Sequence, residues 1–162
     1  VTFLKWSTQE RKSMDDKKEP WKDLEPYFEK PYWVVDILPK QVPENSRGQY
    51  FRIEEYYLCH PQLDVIYQKF SHIFLKLNCY DDMAVSQDGE NWVVNPAPHD
   101  LVGMVTNAVT PKSMFHAFLM SADTLFVANG DDLYFTIYNP TAELLELLGS
   151  LASAEGLFLW KP

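Results

Sequence analysis

Hydrophobic and polar positions change period along this chain, and the clearest stretch is 124–162, TLFVANGDDLYFTIYNPTAELLELLGSLASAEGLFLWKP. Leu125, Phe126 and Val127 lead into Asn129-Gly130, a dipeptide suited to a type I′ turn, where both central residues need φ > 0. Residues 133–138 are aromatic and β-branched and predict the returning strand. Asn139 is placed to cap a helix, with Pro140 at the first helical position, where a missing N–H costs nothing. Leu144, Leu145, Leu148, Leu151 and Ala152 fall on one helical face, and Gly156 is placed to end it. Residues 157–160 form an apolar run without polar alternation, which predicts a strand covered on both faces. Laid parallel to 133–138, that strand makes the helix a right-handed crossover.

Upstream, 33–38 reads as a buried strand and 39–48, PKQVPENSRG, as the longest loop. Ser46-x-x-Gln49 is a capping pattern that predicts a helix over 47–59. Pro61 disfavours helix at His60 and permits a fresh start. Leu63, Ile66, Tyr67, Phe70 and Phe74 follow helical spacing; the expectation is helix to about Ser71 and strand over 73–79. Val85, the turn Asp88-Gly89, a strand at 92–94, Asn95-Pro96 and a helix over 98–108 follow. WVVNP and FTIYNP thus both close a strand and open a helix, and 73–89 aligns end to end with 114–130. That alignment pairs Phe74 with Phe115, Asp82 with Asp123 and Gly89 with Gly130. An internal duplication of two β-β-β-α units competes here with coincidence of common hairpin and Asn-Pro signals. The fold class expected is α+β: a mixed, mainly antiparallel sheet covered by helices, with a C-terminal β-α-β element. Residues 32–162 are expected to form a single domain. Residues 1–31 read as a charged helix opened by Ser7-x-x-Glu10, then an extended arm bounded by Pro20, Pro26 and Pro31, its aromatics packing on the domain.

Charge is uneven. The chain carries a net −9, yet residues 1–31 hold seven basic and seven acidic side chains, so the whole imbalance lies in 32–162. An acidic body repels phosphate backbones and attracts basic proteins, so nucleic acid is not expected as a ligand. Aromatics make up 15% of the chain, more than a core of this size needs, which points some of them toward an interface. Two cysteines, Cys59 and Cys79, are no disulfide framework. No apolar run reaches membrane-spanning length and no signal peptide is visible; the simplest expectation is a cytoplasmic protein, monomer or homodimer.

Chemistry is sparsely signalled. The acidic pairs Glu54-Glu55, Asp81-Asp82 and Asp131-Asp132 read as turn and solvent residues. Cys59, His60, His72, Cys79, His99 and His116 lack the close spacings of metal ligands, so neither metal nor cofactor is expected. A nucleophile drawn from Cys59 or Ser121 has no elbow motif around it, and no glycine-rich phosphate cradle exists. The one basic concentration is Lys40, Arg47 and Arg52, with Gln49, beside an expected helix N-terminus. The reading preferred is a protein-binding module with a basic protein partner, rather than an enzyme. The alternative is an enzyme or binding protein for a small anionic ligand held by Lys40, Arg47, Gln49 and Arg52. In size, low pI and α+β class the chain is similar in general character to toxin-neutralising immunity proteins and acidic secretion chaperones, a likeness that implies capture of another protein.

Overall fold

The computed structural model describes residues 19–110 and 112–162; the charged helix expected before residue 19 lies outside them. Seven strands form one open sheet in the order β3-β2-β4-β5-β6-β1-β7, every neighbouring pair antiparallel. They are β1 (Tyr32–Asp36), β2 (Met83–Ser86), β3 (Val93–Val94), β4 (Met114–Leu119), β5 (Thr124–Asn129), β6 (Tyr134–Tyr138) and β7 (Phe158–Trp160). The helices are α1 (Glu25–Phe28), α2 (Tyr50–Leu58), α3 (Gln62–Leu77), α4 (Pro98–Asn107) and α5 (Ala142–Ala154). The α+β class expected from the pattern is the class found.

Period-2 alternation gives the sheet two unlike faces. The first carries Met83, Val85, Phe115, Ala117, Leu119, Phe126, Ala128, Phe135, Ile137 and Val35, all buried with the apolar stripes of α3, α4 and α5 in one core. α3 dominates it. Leu63, Ile66, Tyr67, Phe70, Ile73, Phe74 and Leu77 are all buried, the spacing of one broad helical face. The strand expected over 73–79 is therefore helix through Leu77. The helical period simply continues, and neither Gly nor Pro interrupts it before Asn78. With that strand gone, the two proposed β-β-β-α units are not equivalent: β4-β5-β6-α5 is complete, but its counterpart is only β2-β3-α4.

The junctions do repeat. Asn95 and Asn139 both adopt positive φ, 47° and 62°. Asn95 Nδ2 donates to Asp82 Oδ1 at 2.8 Å, and Asn139 Nδ2 to the Asp123 carbonyl at 2.8 Å, so each asparagine ties back to the aspartate that the alignment had paired. Asn139 is consequently a left-handed bend rather than the helix cap. The cap is Thr141, whose hydroxyl accepts from Leu144 N at 3.1 Å. At the other end Leu157 N donates to Ala152 O and Gly156 N to Ser153 O, a Schellman closure with Gly156 at φ 71°.

β7 runs parallel to β6, as the β-α-β element requires, with β1 between them, so α5 carries the chain over β1. Two further expectations change. β7 is an edge strand with Phe158 exposed, not one covered on both faces. Asn129-Gly130 is not a type I′ turn, because neither residue has positive φ. Gly130 is required for another reason. A Cβ there would lie 2.5 Å from the Thr110 carbonyl oxygen, where the β5–β6 loop meets the end of α4.

Opposite rows of the second face are Tyr32, Tyr138, Leu125, Phe118, Ala84 and Val94, then Trp160, Val34, Thr136, Val127, His116 and Ser86, then Phe158, Asp36 and Tyr134. Among the described residues no long helix covers them. Residues 19–28 do so at one end: Trp21 and Tyr27 are buried against Phe118, with ring centroids 6.0 and 5.4 Å away. That segment is a 3-10 turn (Pro20–Lys22) plus α1 rather than an extended arm, but its aromatics pack on the sheet as expected.

Replacing Gly130 with alanine should destabilise the protein by about 1–3 kcal/mol, because carbonyl oxygens cannot yield as a side-chain tip can. Gly103 sits inside α4 with nothing within 4 Å of a Cβ. Gly103→Ala should stabilise by about 0.5–1 kcal/mol. Urea denaturation of the two variants checks both signs.

Candidate functional site: an aromatic and acidic surface beside α2

The third row of the open face leads to a polar surface that is partly uncovered among the described residues. Asp36 stands between Phe158 on β7 and Tyr134 on β6 by strand register. Alternation along β1 and β6 puts Tyr32, Tyr134 and Tyr138 on this same face, and Tyr138 meets Tyr32 at 5.8 Å and Phe28 at 5.3 Å. α2 adjoins it. Although α2 is rich in aromatics, none of its residues is buried. Tyr57 and Leu58 hold it to the core, whereas Tyr50, Ile53 and Tyr56 are exposed and Phe51 is 81% exposed.

Electrostatics ties the pieces together. The Tyr50 hydroxyl donates to Glu54 Oε2 at 2.7 Å, one helical turn on. That bond to a carboxylate, with burial and the charges of Glu54 and Asp36, pushes the Tyr50 phenol up to about 12. Burial raises Tyr134, with Asp132 and Asp36 adding to it. Asp132 is raised by burial, against a hydrogen bond from Asn129, and further by Asp131 and Glu54. Asp36 is likewise raised by burial, although the amides of Leu38 and Ile37 pull it down. The Trp160 indole N–H also lowers Asp36, from a buried position in which it makes no hydrogen bond of normal geometry among the described residues. Asp36, Glu54, Asp131 and Asp132 therefore share one neighbourhood with Tyr50 and Tyr134. No lysine or arginine is among the groups that shift them. The Tyr67 hydroxyl fixes the loop beneath by donating to the Asn129 carbonyl and lying 3.1 Å from that of Asp132.

The basic residues singled out in the sequence sit elsewhere on this side. Lys40 and Arg47 belong to the exposed loop, and Gln49 and Arg52 to the start of α2. All four are exposed, and none forms an ion pair or a side-chain hydrogen bond among the described residues. The capping pattern does not form: Ser46 Oγ accepts from Gly48 N at 3.1 Å, and α2 begins only at Tyr50, with no side-chain cap from Gln49. The carboxylates nearest that helix start disfavour an anion there.

The other candidate chemistry disperses as well. Cys59 and Cys79 are exposed and unbonded to each other. His60 pairs with Asp64 at 2.8 Å and His72 with Glu155 at 3.2 Å. Asp81 receives the amides of Ser121 and Ala122, which makes it a turn clasp. One constellation that was not foreseen is Ser86, Asp88 and His116. Ser86 Oγ donates to Asp88 Oδ1 at 2.9 Å rather than to the histidine, and Asp88 also receives the amides of Glu90 and Asn91. Those bonds lower Asp88 and identify a closed turn. His116 is buried, which lowers its pKa, and its Nδ1 has no partner among the described residues. Among those residues no cluster of three or more His, Cys, Asp or Glu could hold a metal ion, and no helix is long and apolar enough to cross a membrane.

No family model, no curated protein and no solved structure matches this chain.

Nothing in sequence spacing announced the aromatic and acidic surface, because Asp36, Tyr50 and Tyr134 belong to three distant segments. The available signals were the alternation Tyr134-x-Thr136-x-Tyr138 and the excess of aromatics.

Asp132 gives a pH-dependent expectation. A folded-state pKa above the unfolded value means that the folded protein takes up the proton first. The cost of its buried charge is therefore present above the folded pKa and is relieved as pH falls through it. Asp132→Asn should raise the thermal midpoint at pH 7, with the gain over wild type shrinking as pH is lowered toward 4, about the unperturbed aspartate range. Melting curves across that interval test it.

Proposed function

We propose that this chain is a protein-binding module that captures a basic protein through the surface formed by α2, the β5–β6 loop and the exposed ends of β1 and β6. One observation carries the reading: exposed Tyr50 and Tyr134, with Phe51 next to Tyr50, lie near Asp36, Glu54, Asp131 and Asp132, and Tyr32 stands further along the same sheet face, on a body that holds the whole −9. Tyrosine and phenylalanine supply rigid contact area at small entropic cost. Carboxylates around them steer a basic partner in and discriminate against acidic ones. Aromatic faces and carboxylates together suit guanidinium groups, which stack on the ring and bond the acid.

A module of this kind, similar in general character to immunity proteins and secretion chaperones, would work by capturing another protein. The reading goes with a cytoplasmic protein, monomeric or homodimeric, whose sheet edges stay free. Both edges are blunted: β3 has two residues with Pro96 just beyond, and β7 has three, followed by Lys161-Pro162.

The test is affinity isolation from the native host with wild-type and Glu54→Lys/Asp131→Lys baits, followed by binding kinetics on the partner recovered. A basic protein should bind wild type stoichiometrically, and the double variant should bind it about tenfold more weakly or worse, mainly through a slower on-rate that is sensitive to salt. A partner that is acidic, or one indifferent to the reversal, would remove the reading.

A further inference from the structure

A second open surface lies at the other end of β6 from Tyr134. It is a groove of about 550 Å³ between the C-terminal end of α3, the β4–β5 turn and α5. That size falls within the roughly 300–1,000 Å³ of sites that enclose a ligand or anchor side chains. Its apolar lining is Leu77, Leu119, Leu144 and Leu147. The first three are buried core residues whose outer surfaces complete the floor. Tyr80, 72% exposed, stands on one wall.

The polar rim has one sign. Glu143, Glu146 and Asp81 line the groove, and no lysine, arginine or histidine does. Asp81 is engaged by the backbone amides of Ser121 and Ala122 at 2.9 and 3.0 Å. Glu143 and Glu146 are exposed on α5 and form no ion pair or side-chain hydrogen bond among the described residues. An apolar floor rewards burial of apolar side chains, while low-dielectric walls concentrate the field of the carboxylates above it. An acidic segment would meet three like charges. So would a second copy of this chain, which itself carries −9.

We propose that this groove docks a peptide segment of a partner protein, one that inserts one or two large aliphatic side chains and sets Lys or Arg against Glu143 and Glu146. The site is separate from the α2 surface and does not depend on the function proposed for it. Its occupant is defined by two features at once, an apolar anchor and flanking cations.

The experiment is an NMR titration of the isotope-labelled full chain with a synthetic helical peptide that carries leucines at i and i+4 flanked by lysines. The matched peptide with glutamate in place of every lysine is run beside it. The lysine peptide should shift the amides of 119–122 and 141–150, and the glutamate peptide should bind about tenfold more weakly at low salt. Glu143→Lys/Glu146→Lys, at two exposed positions, should weaken the lysine peptide by about tenfold. Ser150→Trp, which fills the groove without changing charge, should weaken it as well. Glu54→Lys/Asp131→Lys should leave it unchanged, which separates this site from the α2 surface. Shifts that map elsewhere, equal binding of the two peptides, or no effect of either groove variant would overturn the proposal. Self-association of the chain that is abolished by the groove variants would also overturn it, by giving the groove to a second copy.

Discussion

Phe74 is where helix and sheet lock together. From the last turn of α3 its ring meets Phe115 at 5.0 Å, Phe126 at 5.6 Å and Phe135 at 5.0 Å, one phenylalanine from each of three neighbouring strands. Phe70 adds a fourth contact, edge-on to Phe135 at 5.0 Å. Each such pair gains about 0.5–1.5 kcal/mol beyond the area that it buries. Packing of this kind requires α3 to lie across β4, β5 and β6, with α4 and α5 filling the flanks. One sheet face is thereby fully occupied. Among the described residues the opposite face has only the short segment around Trp21 and Tyr27, which covers the β2–β4–β5 side and not the β6–β1–β7 side. The exposed aromatics are a consequence of that imbalance.

Local periodicity made most of the fold legible. α3, α4, α5, the hairpins and the stop at Gly156 all follow from spacing of apolar residues and from turn chemistry. Failures arose where a local signal was ambiguous and a distant contact decided it. Residues 73–77 suit a strand as well as a helix by composition, and only the sheet phenylalanines beneath Phe74 make the helical face worth continuing. Asn139 is a good cap by residue type. The return of the chain beside Asp123 turns it into a bend, and Thr141 takes the capping role instead. β7 reads as a buried strand because it is apolar, yet its place depends on β1 lying beside β6, a pairing across about a hundred residues that no local pattern encodes. The acidic and aromatic surface was hidden for the same reason: its members come together only once that register is set.

The recurring Asn-Pro junction gives a more physical view of the apparent repeat. Asn95 and Asn139 each leave a strand in a left-handed bend and tie back to Asp82 or Asp123, at the start of the preceding strand. Asparagine tolerates positive φ and carries an amide that reaches a neighbouring acceptor. The following proline keeps the bend from being absorbed into a longer strand. One local solution to the strand-to-helix turn therefore serves at both places, whether or not the units share an ancestor. Asp123 does more, since its carboxylate also accepts from the Tyr27 hydroxyl at 2.5 Å and so fastens the N-terminal cover to the sheet.

Charge is the ground on which the proposal prefers one of the two classes of ligand considered for the α2 side. Lys40, Arg47 and Arg52 are a basic cluster in sequence, but a cluster acts as a site only if its groups converge. Here they lie exposed along a loop and a helix start, while Asp36 on β1 and Asp132 in the β5–β6 loop are partly withdrawn from water, with Glu54 and the exposed Asp131 nearby. Charges that share a low-dielectric neighbourhood act over longer distances than solvated ones, which weights Asp36 and Asp132 in the local field. An anion approaching the start of α2 would meet that potential before the helix amides could repay it. A guanidinium or ammonium group would meet it favourably, with tyrosine rings on hand to replace part of its hydration. The same sign recurs at the opposite end of the sheet, where Glu143 and Glu146 overhang an apolar floor. Both open surfaces of this acidic body thus set carboxylates beside apolar or aromatic area, and on that pairing the proposal of a basic protein partner rests.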